Sequence, residues 1–399
     1  MQVERKLQSF QFYHEILKSA KYFLAPMVDQ SEYAWRVLSR RYGAQVCYTP
    51  MINARMFADK NGQRYRDEIW STGEGDRPLI VQFCANDPES LLNAALRVQD
   101  HCDAIDLNLG CPQHIARRGH YGAFLQDEWD LIYNLINTLH KNLSIPVTAK
   151  IRIFPDVDKT IRYAKMIESA GAQLLTVHGR IREQKGHKTG LADWEQIRRV
   201  KEALNIPVIA NGNILYFENI EQCLRTTLVD GVMTAEGNLY NPAIFANINP
   251  PIWQMAEEYL EICQRIPTKI AYIRGHLFKI FRPALSIHTD IRDSLAKVNK
   301  LEEFIELAKE MKRRLLIDAD KHEQEDNVKV DEKGYKTFPH WLCQPYIRTL
   351  KEEPSAEEQI RNKHRDEKTV QDDADEQETL SNAMNIFNEL EQDTCGVML

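Results

Sequence analysis

The sequence predicts an α/β fold: a (β/α)8 TIM barrel, followed by a small all-helical domain and a partly disordered acidic tail. Three observations lead there. Eight short β-like runs recur between residues 23 and 237, with helical stretches between them. Most are rich in Val, Ile and Leu and end on a polar residue, as parallel strands buried on both faces do. A doubly wound sheet would want a Gly-rich turn after its first strand, and Ala25-Pro-Met-Val28 supplies none.

In order, the runs are Phe23–Met27, Val46–Ile52, Leu79–Ala85, Ala104–Gly110, Pro146–Arg152, Leu174–Arg180, Pro207–Asn213 and Gly231–Gly237. Asp87 to Asp100 shows the intervening type, with Pro88 near the helix start and Leu91, Leu92, Ala95 and Val98 at helical spacing. Pro250-Pro251 marks a boundary, so residues 1–250 are expected to form the barrel with an N-terminal extension. Residues 251–318 read as a helical domain. Its last helix carries an apolar stripe of Val298, Leu301, Ile305, Ala308, Met311 and Leu315. Residues 319–399 form a C-terminal extension. It contains an aromatic island, Phe338-Pro-His-Trp-Leu-Cys-Gln-Pro-Tyr346, expected to dock back on the body. From Glu352 the composition is acidic and mostly disordered, with one short amphipathic helix expected over Leu380 to Leu390.

The net charge of −7 conceals an uneven distribution. Residues 351–399 hold 5 Lys+Arg against 14 Asp+Glu, which leaves 46 against 44 in the remainder. Within that body, residues 265–316 hold 12 against 6, a basic module of the kind that meets nucleic acid. The N-terminal segment mixes charges, and no apolar run approaches the roughly 20 residues of a membrane span. The eight cysteines contain no CxxC pair and no Cys/His metal cluster. The expectations are reduced thiols in the cytosol or nucleus, no membrane, no metal and no obligate protein partner. Cys395-Gly-Val-Met-Leu399 is one residue too long for a prenylation box.

Barrel enzymes keep their chemistry at the carboxyl ends of the strands. Those ends carry Gln82, Asn108 and Cys111, Lys150 and Arg152, and His178 and Arg180. The last two runs contribute Asn211, Gly212 and Asn213, then Ala235, Glu236 and Gly237. Such a ring of amides, cations, an imidazole and a thiol suits a site. Gly212 and Gly237 let backbone amides approach a phosphate, and Asn241-Pro242 resembles a helix start. A phosphate there, with Lys150 two strands away, would bracket a flat cofactor such as FMN. Two basic stretches, His114–His120 with Arg117 and Arg118, and Gly179–Lys188, read as loops flanking the mouth. Arg313 and Arg314 are candidate phosphate contacts on the helical module.

Several segments resemble the tRNA-dihydrouridine synthases. They are Leu24-Ala-Pro-Met27, Asp106-Leu-Asn-Leu-Gly-Cys-Pro112, Tyr121-Gly-Ala-Phe-Leu125, Val147-Thr-Ala-Lys-Ile-Arg152, Val177-His-Gly-Arg-Ile-Arg-Glu-Gln184, Ala192-Asp-Trp194, Pro207-Val-Ile-Ala-Asn-Gly-Asn213 and Gly237-Asn-Leu-Tyr-Asn-Pro242. The resemblance runs along nearly all of residues 20–316. It implies an FMN barrel and a helical tRNA-binding domain, with NADPH as reductant. By the same resemblance Pro26 and Met27 contact the isoalloxazine, with Gln82, Lys150 and His178 around its polar edge. Asn211, Gly212, Asn213, Ala235, Glu236 and Gly237 hold the ribityl phosphate. Glu236 stands where many bacterial members have arginine, which leaves backbone amides as the phosphate ligands. Cys111 is the general acid, and Asn108 and Arg152 orient the uracil, with Arg180, Arg117 and Arg118 on the substrate side. The Ala-Glu-Gly version resembles the eukaryotic branch acting on D-loop uridines 16 and 17. The alternatives are a flavin reductase of a free pyrimidine, a Schiff-base lyase using Lys150, and a tRNA-binding scaffold without catalysis.

Overall fold

The computed structural model describes residues 6–321, 328–332 and 334–347; the acidic tail and the helix expected over 380–390 lie outside them. The strands are β1 (Tyr22–Leu24), β2 (Val46–Tyr48), β3 (Ile52–Asn53), β4 (Leu79–Cys84), β5 (Ala104–Leu109), β6 (Val147–Arg152), β7 (Leu175–His178), β8 (Val208–Asn211) and β9 (Gly231–Thr234). They pair in parallel in the order β2-β1-β9-β8-β7-β6-β5-β4-β3, and a β2–β4 pairing closes the ring. β2 and β3 make one stave. Cys47 faces Leu79 and Ile52 faces Phe83, so a step of five residues meets a step of four. The additional residue forms a bulge at Thr49-Pro50-Met51, where Pro50 has no N–H to give the ladder. Eight parallel staves result, one for each run read from the sequence.

Alternation along each strand decides which side chains enter the barrel. On β5, Ile105, Leu107 and Leu109 pack outward under the helices, so Asp106 and Asn108 face inward. On β6, Val147, Ala149 and Ile151 pack outward, which sends Thr148, Lys150 and Arg152 inside. β7 sends Thr176 and His178, and β8 sends Asn211. The register sets Gln82 beside Asp106 beside Thr148, and Arg152 beside His178 beside Asn211. The lower barrel is apolar. Ile80, Ala104, Leu174, Ile209 and Met233 pack there with Phe12, Tyr13 and Leu17 of the N-terminal segment, which closes that end.

Among the described residues four helices follow the barrel: Ile252–Arg265, Ile270–Ile280, Thr289–Leu295 and Leu301–Lys321. Their apolar faces belong to the same continuous core as the outer barrel layer. On the last helix the stripe centres on Phe304, Ala308, Met311 and Leu315; Leu301 and Ile305 are only half-buried. The aromatic island docks on the Pro250-Pro251 boundary. Ile252 N–H donates to the Trp341 carbonyl (2.9 Å), Cys343 N–H to the Pro250 carbonyl (2.9 Å), and the Asn249 side-chain amide to the Cys343 carbonyl (2.7 Å).

A buried polar knot ties helices to barrel. Glu32 Oε1 accepts from the Tyr259 hydroxyl (2.7 Å), and its Oε2 lies 3.0 Å from His276 Nε2. The His276 ring stacks on Trp35 with centroids 3.8 Å apart. Burial pushes the Glu32 carboxyl up, yet His276 and Tyr259 together hold it below the ordinary glutamate range. Glu32→Ala would leave two buried polar groups without their acceptor. It should cost about 3 kcal/mol or more in denaturant unfolding, with Tyr259→Phe costing about 1–2 kcal/mol. Equal small losses for both would show that the knot is solvated.

Candidate active site at the barrel mouth

Cys111 lies just beyond β5, half-buried, at a turn built by one side chain. Asn108 Oδ1 accepts from the backbone N–H of Gly110 (3.1 Å) and of Cys111 (2.9 Å), an Asx turn that aims the thiol at the mouth. Asn108 Nδ2 donates to Gln82 Oε1 (2.8 Å), and Gln82 Nε2 donates to Asp106 Oδ2 (2.8 Å). Thr148 Oγ1 donates to Asp106 Oδ1 (2.6 Å). The far side of the turn is fixed by Gly122 at φ +66°, where a Cβ would stand 2.8 Å from the Cys111 carbonyl oxygen. Ala123 N–H donates to that same carbonyl (3.0 Å).

Cations surround the thiol, but their protons point elsewhere. Arg152 Nε donates to the Gly110 carbonyl (2.8 Å), and its Nη1 to the carbonyls of Ile181 (2.9 Å) and Gln184 (3.0 Å). Lys185 Nζ donates to the Pro112 carbonyl (2.9 Å). Lys150 Nζ donates to Asn211 Oδ1 (2.9 Å). Burial pushes the Cys111 thiol above its ordinary value, and the Gln113 N–H, Arg152, Lys150 and Lys185 only partly offset that. Burial, aided by Arg152, brings the Lys150 ammonium down to about 8. Burial and the neighbouring cations hold the His178 imidazole well below its ordinary range. His178 is therefore neutral, and its Nε2, 2.9 Å from Arg180 Nη1, accepts. Arg180 also donates to Asn213 Oδ1 (2.9 Å).

The structure brings Gln82, Asn108, Cys111, Lys150, Arg152, His178, Arg180, Asn211, Gly212 and Asn213 to the upper barrel and its rim. Pro26 and Met27 follow β1, half-buried at the same end. Gln82 is fully buried, and both its side-chain atoms are engaged inside the barrel. Glu236 and Gly237 open a five-residue helix, Glu236–Tyr240, with Ala235 at its N-cap. Asn241-Pro242 is not a helix start. Asn241 Oδ1 accepts from Ala243 N–H (3.1 Å) and leads into a 3-10 turn, so the short helix lies one turn earlier than the sequence suggested.

The first basic stretch is not a loop but a helix, His114–Arg118, running into a second turn at Gly122–Leu125. Arg117 and Arg118 are exposed and meet no acceptor among the described residues. The second stretch is braced by Arg180, Arg182 and Lys185. Arg313 and Arg314 lie far along the chain and are tied to acids: Arg313 to Glu310, and Arg314 to Glu310 and Asp290, at 2.8 Å in each pair. Asp106 and Thr148 are members of the site to which sequence reasoning gave no role, although Asp106 stands out beside Asn108 just before the Gly-Cys-Pro turn. Their signal was the inward phase of β5 and β6.

The rim fits a phosphate-bearing flavin in one respect. Gly212 sits at φ +114°, where a Cβ would come within 2.6 Å of Ala192 Cβ. The backbone N–H groups of Gly212, Asn213 and Gly237 meet no acceptor among the described residues, leaving donors for an anion.

Burial pushes the Asp106 carboxyl up to about 6, against the pull of Thr148, Gln82 and Lys150. Between the ordinary aspartate value near 4 and about 6, the folded chain keeps a proton that the unfolded chain has released. Stability from this group is therefore fullest below about pH 4 and lost as pH rises through about 6. Asp106→Asn, which can still pair with Gln82 and Thr148, should gain melting temperature relative to the parent as pH is raised across that window. A pH-independent difference would mean that Asp106 is ionised in the fold throughout.

The family model "Dihydrouridine synthase (Dus)" matches residues 23–329. A mouse protein named tRNA-dihydrouridine(16/17) synthase [NAD(P)(+)]-like is 53% identical over 352 residues, 88% of this chain and 73% of its own. The tRNA-dihydrouridine(16/17) synthase [NAD(P)(+)] of Saccharomyces cerevisiae is 50% identical over 377 residues, 87% of this chain and 88% of its own. A mouse tRNA-dihydrouridine(20a/20b) synthase [NAD(P)+]-like protein is 36% identical, over 69% of this chain and 83% of its own. A closed parallel barrel with a thiol at the end of β5, matched by this model over most of its length, is explained by one ancestry: the chain belongs to the dihydrouridine synthase family.

Proposed function

We propose that this protein reduces uridine to 5,6-dihydrouridine in tRNA, at positions 16 and 17, with FMN as its flavin and NADPH as its reductant. Flavin use and a nicotinamide reductant come with the family. The two positions rest on the names of the mouse and yeast relatives, which are 53% and 50% identical against 36% for the 20a/20b protein.

The observation that carries the reading is a thiol presented at the barrel mouth on the turn that Asn108 builds. Uracil's C5=C6 bond is polarised by its C4 carbonyl, so saturation needs a hydride at C6 and a proton at C5. When bound, reduced FMN supplies the hydride. Cys111 supplies the proton, and the upward push of burial keeps the thiol in its acid form near neutral pH. Asn108 shapes the turn through its Oδ1 and donates one N–H of its Nδ2 to Gln82, which leaves the second N–H to orient the base. Lys150, Arg152 and His178 give the mouth donors and polarity without taking the thiol's proton. The amides of Gly212, Asn213 and Gly237 would hold the phosphate. The target uridine must leave its stack to enter, which a tRNA loop permits at lower cost than a duplex. Arg117 and Arg118 on the rim are free to meet the RNA backbone.

The decisive test follows the visible spectrum under anaerobic NADPH, then with unmodified tRNA. Flavin bands that bleach and return only with tRNA, accompanied by dihydrouridine at positions 16 and 17, are expected. A chain that cannot be loaded with FMN would sink the reading, and turnover on free uridine would favour the small-pyrimidine reductase. Cys111→Ala should lose dihydrouridine formation by roughly 100-fold or more while keeping flavin and tRNA binding. If the variant still modifies tRNA at the parent rate, the proton comes from elsewhere.

The cation pairing yields a second test. Replacing Arg117 and Arg118 together by alanine should reduce the slope of log affinity against log salt by about 1–2. The same change at Arg313 and Arg314 should reduce it less, because Glu310 and Asp290 already neutralise that pair. Equal losses would place both pairs against phosphate.

A further inference from the structure

His288, Asp318 and His340 converge from three separate segments. His288 stands immediately before the helix Thr289–Leu295, Asp318 lies in the last helix turns of Leu301–Lys321, and His340 belongs to the aromatic island. Both imidazole Nε2 atoms lie 3.0 Å from a single oxygen, Asp318 Oδ2. One ligand atom from each residue falls within 4.8 Å of the other two. The geometry points to a divalent transition-metal site of the zinc class, bound by His288 Nε2, His340 Nε2 and an Asp318 oxygen, which staples the aromatic island to the helices.

Three features carry this. The first is spacing: bonds of about 2.0–2.1 Å in a tetrahedral site set neighbouring ligand atoms about 3.3 Å apart, so the observed 3.0 Å contacts need only a small outward shift. The second is the direction of the donors. A carboxylate held only by two imidazole N–H groups is served best by one donor on each oxygen. Here both nitrogens meet at Oδ2, and Oδ1 takes no hydrogen bond among the described residues. The three ligand atoms lie within 4.8 Å of one another, close enough for one ion placed among them to meet all three, with Oδ1 open to serve as the carboxylate ligand. The third is composition: two imidazole nitrogens and one carboxylate oxygen are a donor set that suits zinc better than magnesium or calcium. The side chains are 10, 22 and 20% exposed, sheltered enough to hold an ion and open enough for water to complete the set.

The site also has a structural consequence. His340 lines a cleft of about 770 Å³ with Lys279, Arg282, Arg292 and Tyr346, and the Arg282 guanidinium stands 3.8 Å from the Tyr346 ring centroid. Fixing His340 to two helices would fix one wall of this basic cleft.

The test uses the full chain and zinc alone. Metal content after purification, a zinc titration against a chromophoric chelator, and the visible spectrum after cobalt(II) loading are measured for the parent, Asp318→Asn and His340→Ala. The amide oxygen that Asp318→Asn introduces would still accept from both imidazoles, so that variant should fold even if His340→Ala does not. The expected result is about one zinc per chain and a cobalt ligand-field band without thiolate charge transfer. Zinc binding should weaken roughly tenfold or more in each folded variant. A parent chain that takes up no zinc has a hydrogen-bonded His–Asp–His triad only, and the proposal fails. It fails equally if binding survives Asp318→Asn unchanged, or if cobalt shows thiolate charge transfer, which would move the ion to cysteines.

Discussion

The inward phase of β5 is the constraint on which the site depends. Once Ile105, Leu107 and Leu109 are buried under the helices, Asp106 and Asn108 have no direction left but the barrel interior. A carboxylate buried there must be paired. Thr148 and Gln82 pair it, Gln82 in turn holds Asn108, and Asn108 shapes the turn that carries Cys111. The position of the reactive sulfur is thus a consequence of strand register. A one-residue slip would reverse it.

The electrostatics of the mouth resolve a conflict. A cationic mouth attracts a polyanion and a phosphate-bearing cofactor, but cations beside a thiol favour the thiolate, which cannot give a proton. Three arrangements relieve this. Arg152 and Lys185 direct their N–H groups to the carbonyls of Gly110 and Pro112, so they grip the turn rather than the sulfur. Lys150 and His178 are themselves weakened as cations, by burial first and by neighbouring charge second. Burial of Cys111 outweighs what attraction remains. The same loop carbonyls that define the turn therefore also protect the acid form of the thiol.

The barrel was legible because each strand repeats one pattern, an apolar run closing on a polar residue, and parallel pairing needs little more. The ring of residues at the mouth followed from that pattern alone. What escaped was fixed by contacts between segments distant in sequence. His114–Arg118 read as a loop from its charges, yet it folds as a helix because Ala116 and Tyr121 pack beside Cys84. The stripe on the last long helix shifted from Ile305 to Phe304, since the partner helices decide which adjacent position turns inward. Arg313 and Arg314 offered two bare cations to a reader of the sequence, but a helical spacing to Glu310 and a tertiary contact to Asp290 occupy them. His288 and His340 stand 30 and 22 residues from Asp318, too distant for any short ligand motif, and the three meet only through the docking of the aromatic island.

That docking bears on how the helical module is used. The module is no loosely tethered appendage: its apolar faces continue the outer barrel core, and Glu32, Tyr259 and His276 lock the two across a buried interface. Barrel and module are therefore one packed unit, and the spacing between mouth and module is set by the core itself. In such an arrangement cations divide into two kinds. Those paired to acids, such as Arg314 and Lys312, hold the helices in place. Those without carboxylate partners among the described residues, such as Arg117 and Arg118, are available to phosphate. Total charge is then a poor guide to what such a surface offers a polyanion, because only the uncommitted cations are open to it.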